Sequence, residues 1–373
     1  MTEVHDNGGT QNHSLKKLQI VAVTSVKPAK ETESRQVRQV LVSDDHSVHP
    51  RTIDGCYQIV LYYEKLNEEE RSWCLAGWIV ESLTRALMEH PLLAGRLQRR
   101  GGVGGDTHKC LEIVSNDSGI RFLEARYPTS LSQFLELNKK EHLEAELVFW
   151  KEIDDQCLEF SPLVYIQVTN FECGGYSIGI SCSLLLAEIL IVENFLKKWA
   201  EIHKMLPQNE EIKTPTFYYP DLKIHEPLPS YIISQTENKN GVLSTVFEVT
   251  TKDANFSKEL ALLCVEDAER KLNLKMGSDF SLVVKKSSEI IKVESCSKSG
   301  YNMQGLGLKN QITRATWNDF GAYEVAFHEG NKPVLVSCWI GFVADVAHVM
   351  AVPCPKENAF AVIVVSPPLE IKL

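Results

Sequence analysis

Apolar and polar positions alternate over short stretches of this chain and recur at helical spacing over longer ones. Leu18–Val26 (LQIVAVTSV) and Gln58–Tyr63 (QIVLYY) are rich in β-branched and aromatic residues and predict strands, joined by the turn-rich KPAKETESRQ. Asn67–Glu89 predicts a helix with Trp73, Leu75, Trp78, Ile79, Leu83 and Leu87 on its apolar face. Glu68, Glu69 and Glu70 fall in its first turn, where acidic side chains complement the helix dipole. Cys110–Val114 and Ile120–Glu124 read as two strands paired around Ser115-Asn116-Asp117. Phe160–Thr169 and Cys173–Ser183 read as buried strands. Leu185–His203 predicts one continuous helix, with Leu185, Ile189, Val192, Leu196 and Trp199 on a single stripe.

The second half repeats the alternation. Pro207–Ser234 is proline-rich and polar and reads as a crossover between two halves. Val242–Val249 predicts a strand. Ser257 is placed to cap a helix running through Leu272 that buries Leu260, Leu263, Cys264 and Ala268. The end of the chain is strand-rich at Val334–Ile340, Val346–Val352 and Ala359–Val365. Periodicity therefore predicts an α/β protein.

Composition narrows the function classes. With 373 residues the chain has length for about two domains, and 44% hydrophobic with 24% charged residues is ordinary for a globular protein. A net charge of −10 argues against nucleic acid or an anionic membrane as the main partner. The ten cysteines form no CxxC pair and no zinc-type cluster, which predicts free thiols in a reducing compartment. The polar start, MTEVHDNGGTQNHS, does not read as a signal peptide. The longest apolar run, Ile178–Val192, is broken by Ser181, Ser183 and Glu188 and is too short to span a bilayer. These features predict a soluble cytoplasmic protein, a monomer, with no metal site.

Some short motifs invite sharper readings. Gly101–Gly105 (GGVGG) lacks the Lys and Ser/Thr of a phosphate loop and reads as a flexible hairpin loop. Cys182 has no nearby His in sequence to activate it and reads as a buried strand thiol. His46 and His49 lie with Asp44 and Asp45 without metal-ligand spacing, and His328 and His348 read as surface or satisfied core histidines. Asp319-Phe320-Gly321 is a kinase-like triplet without the other kinase motifs.

Gly174–Glu188 (GGYSIGISCSLLLAE), the helix followed by PLLAGRL (Pro91–Leu97), and Asn318–Tyr323 (NDFGAY) together resemble the BAHD acyl-CoA acyltransferases of plants. The resemblance covers roughly Leu18 to Val365. It implies a two-domain, chloramphenicol-acetyltransferase-like fold: an N-terminal domain over 1–205, a linker over 206–245 and a C-terminal domain over 246–373. It also implies an interdomain channel passing Leu184 and Ala322. In the family an HxxxD motif supplies a His that deprotonates the acceptor while it attacks the acyl-CoA thioester. Counted from Gly174, Leu184 occupies the His position and Glu188 the Asp position. A positioned base contributes about 10²–10⁴ in rate, and a hydrocarbon cannot accept a proton.

The family's DFGWG becomes Asp319, Phe320, Gly321, Ala322 and Tyr323 here, and no YFGN-like segment follows Thr251, so the second domain reads as incomplete. The family pattern would have Asp319 hold a distant Arg, and the missing segment leaves Asp319 and Glu188 without their usual partner. Asn116–Glu124, Phe160–Tyr165 and Phe171–Ile180 are most similar to the eceriferum-like branch. That likeness implies an accessory to very-long-chain fatty acid elongation for cuticular wax. The accessory would bind acyl-CoA or an acyl chain, contact a fatty-acid elongase condensing enzyme and sit at the endoplasmic reticulum through that partner. The alternative is an acyl-CoA-dependent O- or N-acyltransferase in which Glu188, or a His from elsewhere, takes over as base.

Overall fold

A computed structural model describes residues 18–42, 55–65, 72–100, 111–137, 143–206, 242–251, 255–299, 312–341, 346–356 and 358–367. The strands are β1 Gln19–Val26, β2 Val37–Val42, β3 Cys56–Tyr63, β4 Arg96–Arg99, β5 Leu111–Val114, β6 Ile120–Tyr127, β7 Val164–Phe171 and β8 Tyr176–Ser183. They continue with β9 Ser244–Thr250, β10 Asp279–Lys285, β11 Ile290–Ser297, β12 Ile312–Ala315, β13 Leu335–Gly341, β14 Ala347–Pro353 and β15 Ala359–Val365. The α-helices are α1 Ser72–Ala86, α2 Leu131–Glu136, α3 Ala187–Ile191, α4 Phe195–Met205 and α5 Lys258–Leu272.

These strands form two sheets, so the protein is mixed α/β. The six-stranded sheet runs β1-β6-β7-β8-β3-β13, and the nine-stranded sheet runs β12-β9-β15-β14-β10-β11-β2-β5-β4. Each draws strands from both ends of the chain. β13 closes the first sheet by antiparallel pairing with β3, while β2 enters the second by parallel pairing with β11.

One large apolar core unites the two sheets. It takes Ile59, Leu61, Ile166, Ile178 and Ile180 from the six-stranded sheet and Val40, Val283, Val293, Met350 and Ile363 from the other. The two α-helices α1 and α4 complete it through Ile79, Leu83, Phe195 and Trp199, and the Trp199 indole donates to Ser82 Oγ at 2.9 Å. A second core lies between the other face of the nine-stranded sheet and α5. Ser257 caps that helix as expected: its hydroxyl accepts from the Leu260 N–H at 3.3 Å.

Several expectations need correction. β5 and β6 do not pair with each other. β5 lies between β2 and β4, and β6 lies between β1 and β7 in the other sheet. Residues 115–119 form the crossing, where Asp117, at φ 53°, accepts from the Thr32 N–H and hydroxyl at 2.8 and 2.7 Å.

The helix expected over 185–203 is two helices. Asn194 takes the left-handed conformation at φ 58°, which Asn tolerates better than most residues, and this turns the chain between α3 and α4. The α1 helix is described from Ser72, so Glu68, Glu69 and Glu70 lie outside the described residues. β7 begins at Val164, four residues later than expected, and Phe160 sits exposed in a short 3-10 turn. β2, β4, β10, β11 and β12 were not anticipated from periodicity. The GGVGG loop, His46, His49 and the 207–234 crossover lie outside the described residues.

Candidate functional site

β8 is central, paired antiparallel to both β3 and β7, and every one of its residues is buried. Gly179 lets it pass close to the preceding chain: a Cβ there would lie 1.9 Å from the Leu147 carbonyl oxygen. The strand ends in a tight turn. Leu184 N–H donates to Gly55 O at 3.0 Å, Leu186 N–H to Ser183 O at 2.9 Å, and Leu185 N–H to Ser183 Oγ at 3.3 Å.

Leu184, Leu185 and Leu186 all belong to the large core, and Leu184 is 5% exposed. Cys182 is buried as well. Burial pushes its thiol well above the usual range, the Glu188 charge adds to this, and its Sγ lies 3.5 Å from Ser183 O. That is an inert thiol by its environment.

Glu188 opens α3 and is 3% exposed. The missing segment does not leave it unpaired. Arg38 on β2, equally buried, donates Nη1 to Glu188 Oε1, and also donates to Leu185 O at 3.2 Å and Ser288 O at 2.9 Å. Lys285 at the end of β10 adds a second cation, with Nζ 3.3 Å from Glu188 Oε1 and 2.6 Å from Glu193 Oε1. Burial works to raise the Glu193 carboxyl, yet Lys285 together with His90 and Arg38 brings it below the usual carboxylate range. The network ties the turn after β8 to two strands of the other sheet.

Neither cation was anticipated. Arg38 shares the strand phase of the buried Val40, so an inward-facing Arg was the available signal.

The second segment folds as two short 3-10 turns, Trp317–Phe320 and Ala322–Glu324, joined at Gly321 with φ 72°. Among the described residues no Arg pairs with Asp319. Its carboxylate caps its own turn, accepting from the Thr316 N–H at 2.6 Å and hydroxyl at 3.0 Å. Trp317 stacks on Tyr57 with ring centroids 5.5 Å apart, and Phe320 packs against the core beside it. Ala322, 7% exposed, belongs to the same core cluster as Leu184.

His348 departs from expectation most sharply. It is 3% exposed, and neither ring nitrogen has a hydrogen-bond partner. It is neither a surface nor a satisfied histidine. Among the described residues no three His, Cys, Asp or Glu side chains are grouped to hold a metal ion, and no helix is long and apolar enough to cross a membrane.

The strand–turn–helix at 176–191 and the aspartate-phenylalanine-glycine turn at 319–321 lie on a two-sheet mixed α/β frame. A family model described as the Transferase family matches residues 16–282, and the chain belongs to this BAHD family. It is 24% identical over 259 residues to anthranilate N-benzoyltransferase protein 2 of Dianthus caryophyllus, a match covering 65% of this chain and 56% of the relative. It is 31% identical over 111 residues to Protein ECERIFERUM 26-like of Arabidopsis thaliana, covering 30% of this chain and 24% of that protein. The chain thus spans little more than half the length of the curated relatives it matches. The crystal structure of vinorine synthase superposes with a TM-score of 0.48 at 15% identity, over 94% of this chain and 95% of that one.

Proposed function

We propose that this protein does not perform ordinary acyl transfer and serves as an accessory to very-long-chain fatty acid elongation for plant surface wax. One observation carries the reading: the residue at the family's general-base position is a buried hydrocarbon, and the acid four residues on is held between two cations. Leu184 has no lone pair, and Glu188 Oε1 is already engaged by Arg38 and Lys285. In this reading the N-terminal domain spans 1–205 and the C-terminal domain 246–373, and a channel past Leu184 and Ala322 holds acyl-CoA or an acyl chain. Contact with a membrane-embedded condensing enzyme brings the protein to the endoplasmic reticulum. The likeness to Protein ECERIFERUM 26-like supports the branch.

The test is co-expression with plant condensing enzymes in yeast, reading fatty acid chain lengths. A shift toward longer chains is expected, and an unchanged profile with every enzyme overturns the accessory role. The relative named as a benzoyltransferase supports the second reading, a transferase with a substitute base. Purified protein assayed with a panel of acyl-CoAs and hydroxyl or amine acceptors decides it. Turnover at blank level is expected, whereas robust turnover that vanishes in Glu188→Gln establishes the transferase.

A further inference from the structure

The six-stranded sheet carries a cavity at the end away from the turn after β8. β7 and β8 run antiparallel, with Val164 opposite Cys182 beside that turn and Asn170 opposite Tyr176 at the other end. The two rows lie about 20 Å apart along the strands. The cavity, about 290 Å³ in volume, opens among β1, β6 and β7. Gln19, Arg126 and Asn170 form one row across these strands, and Ala22, Glu124 and Val168 form the next row inward. β1 carries an extra residue between Ile20 and Ala22, and a bulge of this kind bends the strand and loosens the ladder beside the cavity.

Glu124 and Arg126 share one face of β6 with Ile120 and Phe122, which belong to the core between the sheets. Glu124 is only 9% exposed, whereas Arg126 is exposed at the rim. Among the described residues neither the carboxylate nor the guanidinium has a hydrogen-bond or ion-pair partner. Burial raises the Glu124 carboxyl above the usual range, and Arg126 offsets this only in part. Buried charges are ordinarily paired, because one left unanswered is costly. The Asn170 amide, half-buried beside Arg126, likewise has no partner among the described residues. Tyr127, Pro128 and Phe171 add apolar surface to the wall, and Glu172 adds a second carboxylate at its exposed side.

We infer that this cavity binds a small zwitterion, an α-amino acid with an apolar side chain: Glu124 takes the ammonium group inside and Arg126 the carboxylate at the rim. The class follows from the unanswered pair. Side chains two apart on a strand stand about 7 Å from each other, which leaves room for the two charges of an amino acid between them. Asn170 donates its amide to the same carboxylate, and the excess of acid in the wall favours the ammonium end. The volume admits one amino acid rather than a peptide. Because the cavity lies at the far end of the sheet from Leu184, this inference stands or falls apart from the accessory role.

The experiment uses the full chain and three probes: L-phenylalanine, phenethylamine, which lacks the carboxylate, and phenylpropanoate, which lacks the ammonium group. Calorimetric titration of the wild-type protein near neutral pH is expected to show phenylalanine bound about tenfold or more tightly than either half-molecule, the worth of one charge-assisted hydrogen bond. Glu124→Gln keeps the shape and removes the charge. It is expected to weaken phenylalanine and phenethylamine about tenfold, leave phenylpropanoate unchanged and leave the melting temperature equal or higher. Arg126→Gln, at an exposed position, is expected to weaken phenylalanine and phenylpropanoate by a similar factor and leave phenethylamine unchanged; it alone decides if Glu124→Gln does not fold. Phenylalanine that fails to bind the wild-type protein, binds no better than phenethylamine, or binds the folded variants as tightly as the wild type overturns the inference.

Discussion

Glu188 and His348 are buried to the same extent, and the fold treats them in opposite ways. Glu188 meets Arg38, Lys285 and the chain around them, so its charge is answered from two strands of the other sheet. His348 stands between Ser281 and Val365 and leaves both nitrogens unanswered. A compensated buried charge marks a brace, because its partners fix the position of the turn after β8. An uncompensated buried dipole is a local cost to stability. Exposure values do not separate the two; their partners do.

The comparison can be broken by removing each side's defining feature. Arg38→Leu should have the largest effect, since it strips the main cation from a buried carboxylate. A loss of about 3 kcal/mol is expected in urea unfolding, the lower end for an orphaned buried charge because Lys285 remains. A change under about 1 kcal/mol would show that the pair is no brace.

Acid unfolding comes next. His203, at Ser82 and beside His328, is lowered to about 3 by burial first and by His328 second, and His348 to about 4 by burial. The unfolded chain takes up these protons near pH 6.5 while the folded chain refuses them, so stability falls as pH drops below about 6.5. Each histidine contributes about 1.4 kcal/mol per pH unit until its folded pKa is reached. The lowered Glu193 adds to the loss as pH falls further. His348→Leu should remove about one proton from the slope between pH 6 and 4, and an unaltered slope would mean that His348 is solvated.

At neutral pH the same His348→Leu change should raise stability by about 1 kcal/mol, because it removes an unsatisfied buried group. A clear loss would mean that the ring has an internal partner. Arg85→Ala, which breaks the half-exposed pair with Glu81 at 3.0 Å, is the contrast: about 0.3–0.5 kcal/mol. A loss as large as that of Arg38→Leu would erase the distinction between brace and surface pair.

The sequence carried the local half of this structure. β8 was legible because eight residues without a charge follow a glycine pair, and α5 because Ser257 precedes a run at helical spacing. β11 is legible too, since IIKVESCS alternates apolar and polar residues over most of its length. Long-range pairing was not legible. β5 and β6 look like a hairpin because a turn separates them, yet each has stronger partners elsewhere. Of the site, the hydrocarbon at Leu184 could be read directly. The pairing of Glu188 with Arg38 joins residues 150 apart in sequence, and no local pattern predicts it. Nor does the phase of a strand reveal that His348 lacks a partner.

The closing strand of the six-stranded sheet has a consequence for synthesis. β3, buried along its whole length, gains its second neighbour only when Leu335–Gly341 has left the ribosome. Until then a nascent chain displays an open edge of apolar backbone, the kind of template on which chains aggregate. A ribosome stalled before residue 335 should therefore release a product that needs a chaperone, however well its earlier elements are formed.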